Sequence, residues 1–82
     1  MAREKSSRKY QLTINNPVEH GFTHEQIRKN LSTIKIAYCC FCDEVGSEGT
    51  PHIHIFIYSK NAIMFSTLQQ RFYGAHIECA VG

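Results

Sequence analysis

The chain is 82 residues long, 43% hydrophobic and carries a formal charge of +2. That length bounds it to one domain with an adequate but not generous core. The mild charge permits nucleic-acid binding only through local basic clusters, and no signal peptide or apolar stretch of spanning length is present, so neither secretion nor a membrane is indicated.

Basic residues gather at the start, where Arg3, Lys5, Arg8 and Lys9 suggest a phosphate-contacting arm over residues 1–9. Tyr10 to Asn15 then alternates as a first strand, with Tyr10, Leu12 and Ile14 on one face and Gln11 and Thr13 on the other. Asn16-Pro17 ends it, because proline lacks a donor and holds its predecessor extended. A helix follows. Thr23 is its expected N-cap, Gln26 completes a capping box, and Phe22 and Ile27 form a hydrophobic staple. Ile27, Leu31 and Ile34 make the stripe that faces a sheet.

Ile36 to Glu44 is apolar almost throughout, which predicts a central second strand. It holds Cys39, Cys40 and Cys42; with Cys79 these lack the Cys-x-x-Cys spacing of a zinc knuckle. They are expected to be reduced, buried, small hydrophobes of an intracellular protein. Val45 to Thr50 carries two glycines and suits a hairpin loop, and Pro51 fits the first position of the next strand. Ser66 is expected to begin a second helix, with Gln69 completing its capping box and Leu68 and Phe72 as its buried pair. Gly74 closes that helix, and Ala75 to Ala80 alternates as a last strand. The order β-α-β-β-α-β predicts an α+β fold, an antiparallel sheet with two helices on one face and the other face open.

The most informative stretch is Pro51 to Tyr58. Strand alternation puts Ile53, Ile55 and Ile57 on the helix side and His52, His54, Phe56 and Tyr58 on the open side. Histidines two apart stand about 6.5–7 Å from each other along a strand, so their rings can converge on one divalent ion. Two imidazoles alone bind weakly, and a carboxylate is required. Glu44 ranks first, Glu78, near His76, second and Asp43 third; parity alone does not say which of Asp43 and Glu44 meets the open face. Such a site leaves coordination positions open to polarise a phosphoryl oxygen, while Tyr58, Phe56 and Gln11 suit a single strand held by stacking and hydrogen bonds. None of Tyr10, Tyr38, Tyr58 and Tyr73 has a basic helper at helical spacing, and none is assigned as a nucleophile.

Tyr10 to Pro17 resembles the first motif of the rolling-circle replication initiators (Rep proteins) of circular single-stranded DNA viruses and related plasmids and phages. Gly49-Thr50-Pro51-His52-Ile53-His54-Ile55 resembles their second motif, the His-hydrophobe-His that names the HUH endonucleases. Asp43 to Gly46 and Gly74 to Glu78 lie where that family has similar segments, and the likeness runs from Tyr10 to Gly82. It implies a ferredoxin-like, RRM-like nuclease core over residues 10–82 and a metal-dependent nickase and joining enzyme acting on an origin stem-loop. His52, His54 and Glu44 would hold Mn²⁺ or Mg²⁺. Gln11, Thr13, Asn15, Asn16, Tyr58, Arg8 and Lys9 are the expected DNA-binding residues. The family's nucleophilic tyrosine, on a helix with a lysine, is expected beyond Gly82, so this chain is read as the metal-binding front of the domain. Expected partners are single-stranded or stem-loop origin DNA and other Rep chains, in the host cytoplasm, or in the nucleus of a eukaryotic host. Two rival readings are an RRM-like nucleic-acid-binding domain and a metal-binding regulatory remnant without catalysis.

Overall fold

Ser6–Asn15 forms strand β1 in a computed structural model that describes residues 6–80. The strand begins before Tyr10, so Arg8 and Lys9 belong to it and not to an arm; Arg3 and Lys5 lie outside the described residues. A single 3₁₀ turn (Val18–His20) leads to helix α1 (His24–Ser32), then β2 (Tyr38–Val45), β3 (Pro51–Met64), helix α2 (Phe65–Arg71) and β4 (His76–Cys79). The strands form one antiparallel sheet in the order β2-β3-β1-β4. This is the expected α+β order with a ferredoxin-like sheet.

One face of the sheet carries the core. Tyr10, Leu12 and Ile14 of β1, Ile53, Ile55 and Ile57 of β3 and Ile77 of β4 are buried there. Phe22, Ile27 and Leu31 from the first helical segment, and Leu68 and Phe72 from the second, join the same cluster. Tyr10 is fully buried, and its hydroxyl donates to the Ile63 carbonyl at 2.7 Å, so its polar tip is satisfied. Between Lys9↔Tyr58 and Ser7↔Ile63 the register shifts, leaving Ser59 to Ala62 against Arg8 alone. Buried Ser59 steadies this bulge by donating to the Lys35 carbonyl and accepting from the Asn61 amide.

The helix signals hold in part. Thr23 accepts the Gln26 amide at 3.1 Å, which is the N-cap bond. The return half of the capping box is missing, because the Gln26 side chain donates to Asn30 one turn on. Thr23→Ala should therefore cost about 1 kcal/mol and Gln26→Ala only a few tenths, measurable by urea unfolding. Asn30 also donates to the Arg71 carbonyl at 2.8 Å and so ties α1 to the end of α2. Helix α2 starts at Phe65, with Met64 at the cap position and no side-chain cap bond, so Ser66 is inside the helix and not its cap. Gly74 follows at φ 87°, the left-handed conformation that favours glycine.

The main departure is β2, which is an edge strand and not a central one. Seven of its eight residues are exposed and only Phe41 is partly covered. Helix α1 reaches β2 through its polar residues His24 and Arg28, and the apolar run of β2 consists largely of small thiols that bury little area. Cys39, Cys40 and Cys42 are accordingly exposed free thiols, not buried ones, and Cys79 is half-buried and free. On the helix side Phe41 is flanked by the His24 ring at 5.2 Å and the Arg28 guanidinium at 5.7 Å.

Candidate metal centre

The hairpin joining β2 to β3 aligns the acid with the histidines. Its loop closes with the Gly46 amide donating to the Thr50 carbonyl and the Gly49 amide donating to Gly46, with Gly49 at φ 84°. The resulting register sets Glu44 opposite His52 and Cys42 opposite His54. Facing residues in a ladder point to the same side, so Glu44 is on the histidine face. Asp43, opposite Ile53, is on the helix side, where it pairs with His24 at 2.7 Å.

Glu44 Oε1 lies 3.7 Å from His52 Nε2, and Glu44 Oε2 lies 3.2 Å from His54 Nε2. One ligand atom from each of the three residues lies within 4.8 Å of the others. The rings stand edge to face, 4.9 Å apart at their centroids. The histidine side chains are 17% and 31% exposed and Glu44 is 59% exposed, so the group is both positioned and open to solvent. As a bare ion pair this cluster would contribute little to stability.

The second nitrogens are also engaged. His52 Nδ1 is 3.3 Å from the Thr50 carbonyl, and His54 Nδ1 is 3.3 Å from Thr13 Oγ1. Outer partners of this kind orient ligating imidazoles and direct the opposite nitrogen toward a metal. Two imidazoles and a carboxylate fit Mn²⁺ better than Mg²⁺, which prefers an all-oxygen shell, although Mg²⁺ tolerates a site that leaves room for water. The donor set thus suits a divalent cation. Glu78 does not join it: Glu78 accepts from or pairs with His76 at 2.7 Å on β4.

Pairing extends the open face across two further strands, β1 and β4. Lys9, Gln11, Thr13 and Asn15 of β1 stand opposite Tyr58, Phe56, His54 and His52, and β4 adds Glu78 and His76 opposite Gln11 and Thr13. The Lys9 ammonium lies 5.9 Å from the Tyr58 ring centroid. Phe56 and Tyr58 are 41% and 40% exposed, so their rings are open to a stacking partner. Asn16 is elsewhere: at φ 50° it forms the turn after β1, and its amide donates to the Pro51 carbonyl at 2.8 Å. Arg8 falls in the irregular register beside Lys9 and is exposed.

Two of the four tyrosines are poorly placed to act as a nucleophile. Tyr10 is buried with its hydroxyl bonded. A hydrogen bond with Cys40, reinforced by that thiol's charge, holds the Tyr38 phenol above its ordinary range, the wrong direction for an activated oxyanion. Sequence reasoning missed the Thr13–His54 and Thr50–His52 bonds and the His24–Asp43 pair; the first becomes visible only once β1 is paired with β3.

The family model for viral replication proteins matches residues 7–82. A replication-associated protein of Pigeon circovirus is 36% identical over 83 residues, an alignment that covers 98% of this chain and 24% of that protein. The chain therefore spans about a quarter of the relative's length. Among the described residues no helix is long and apolar enough to cross a membrane. With a family match over almost its whole length and this relative beside it, the chain belongs to the viral replication protein family.

Proposed function

We propose that this chain is the metal-binding and DNA-binding part of a replication initiator endonuclease that nicks and joins single-stranded DNA at a rolling-circle origin. The observation that carries this reading is the convergence of Glu44, His52 and His54 on the open sheet face. Membership of the viral replication protein family supports it. Glu44, His52 and His54 would hold Mn²⁺ or Mg²⁺, which supplies Lewis-acid polarisation of a phosphoryl oxygen.

The remaining residues bind and orient. Phe56 and Tyr58 present π-faces on which successive bases stack, and Lys9 places positive charge at the end of the row away from the histidines. Gln11 and Asn15 offer amide donors and acceptors beside them. The strand would thus run along β3, with a backbone phosphate at the histidines and bases over the aromatics. The nucleophilic tyrosine of this chemistry is not assigned to any of the four tyrosines.

Titrating a fluorescein-labelled origin-type hairpin oligonucleotide into the chain, with and without Mn²⁺, tests the reading. Mn²⁺ should tighten binding to the wild type and leave Glu44→Gln unaffected. Tyr58→Ala should weaken binding by about 1–3 kcal/mol, roughly 5- to 150-fold, in either condition. Metal-independent binding by the wild type would favour the RRM-like alternative, which has the same strand order but no use for the triad. No binding of either ligand would remove the proposal.

A further inference from the structure

Stretches far apart in sequence bring cations to one end of the sheet. Arg8 and Lys9 lie early in β1, Lys35 in the loop between α1 and β2, and Lys60 in the bulge of β3 that stands against Arg8. The Ser59 hydroxyl donates to the Lys35 carbonyl at 3.0 Å, and the Ala37 amide donates to the Tyr58 carbonyl at 3.0 Å. These two bonds dock the Lys35 loop on the bulge. A cleft of about 340 Å³ opens between Lys35 and Lys60, with Asn61 on its wall. Arg8, Lys35 and Lys60 are exposed, and among the described residues none of them pairs with a carboxylate. The acids stand at the other end, where Asp43, Glu44 and Glu48 lie in or beside the β2–β3 hairpin loop. Lys60 is eight positions beyond His52, about 25 Å along an extended strand. Exposed like charges gathered without counter-charge repel one another, and an anion relieves that repulsion.

We propose that Arg8, Lys35 and Lys60 form a phosphate clamp that grips the DNA backbone where it leaves the Phe56 and Tyr58 row, whatever the base sequence. This rests on the DNA-binding reading above and adds a second anchor to it. The strand is then held at both ends of β3, by the metal centre at the hairpin and by the cations at the bulge, with bases stacked on the aromatics between. Contacts to phosphate fix position and register but carry no sequence information. The amide of Asn61 offers a further donor to a phosphoryl oxygen in the cleft. Without a bound ion the acidic hairpin end repels DNA, so the clamp makes its contacts whether or not the metal centre is loaded.

Fluorescence anisotropy of a labelled single-stranded oligonucleotide over a salt series, in EDTA and in Mn²⁺, tests the clamp. Each phosphate contact to a single strand adds about 0.7 to the slope of log affinity against log salt. Arg8→Gln, Lys35→Gln and Lys60→Gln should each flatten the wild-type slope by about that amount, and the triple variant by about 2, for any base sequence and in both conditions. Lys35→Arg with Lys60→Arg should keep the slope. Lys29→Gln removes an exposed lysine of α1, on the helix side of the sheet, and should also keep it. Tyr58→Ala should weaken binding at every salt concentration without flattening the slope. Unfolding midpoints check that the variants fold, as exposed positions allow. A wild-type slope in the triple variant would overturn the clamp while leaving DNA binding standing. Equal flattening by Lys29→Gln would overturn it too, since only net charge would then count. If the wild type binds no oligonucleotide at low salt, the DNA-binding reading fails and the clamp with it.

Discussion

Saturating Mn²⁺ should raise the unfolding midpoint of the wild-type chain by about 10–20 °C, and His52→Ala or His54→Ala should abolish that rise. An ion that binds only the folded chain stabilises it by about 2.7 kcal/mol at one hundred times its dissociation constant. In a domain of this size each kcal/mol moves the midpoint by about 4–8 °C. Only the folded hairpin brings the three ligands together, because Glu44 and His52 are separated by a loop and meet through the β2–β3 register. Either alanine leaves one imidazole and a carboxylate, too few donors for the affinity assumed. Both histidine side chains are partly exposed, so the metal-free midpoints of the variants should stay near that of the wild type. Differential scanning calorimetry with and without the ion separates the two effects. A rise of equal size in all three proteins would mean that the ion binds elsewhere.

Neighbouring substitutions on β3 should differ several-fold in their cost. Ile55 is fully buried against the helices, and Ile55→Ala should destabilise by about 2–5 kcal/mol through lost burial and the cavity left behind. Against a stability of roughly 4–12 kcal/mol for a chain this long, that is a large share of the total. Phe56 removes a larger side chain yet faces outward, at 41% exposure, and Phe56→Ala should cost about 1 kcal/mol or less. Urea unfolding at one temperature measures both. Equal losses would mean that the aromatic face of β3 is covered.

That contrast was legible without any structure, because alternation along Pro51 to Tyr58 assigns each side chain to a face. The Thr23 cap and the Ile27 and Leu31 stripe were equally readable, since they depend on residues one turn apart. The error over β2 has a definite cause. A continuous apolar run reads as buried on both sides, yet whether a strand is covered depends on its place in the sheet and on how far the helices reach, and here all of the edge strand but Phe41 stays exposed. The exposed thiols followed from the same misreading. Ser66 was read as a cap because of its type, although the chain enters α2 directly from β3 and the cap position falls on Met64, whose side chain makes no cap bond.

Local pattern thus determined the element order, the two faces of the histidine strand and the pair of imidazoles, because strand and helix periodicity act over a few neighbouring residues. The sequence ranked Glu44 ahead of Glu78 and Asp43, but parity could not tell which acid of the hairpin meets the histidines. That placement, and the Thr13 and Thr50 partners of the imidazoles, came from the tertiary structure. A shift of one residue in a β-ladder turns every side chain to the opposite face. Which acid meets the histidines is therefore decided by the hairpin register, and which hydroxyl meets His54 by the pairing of two strands forty-one positions apart.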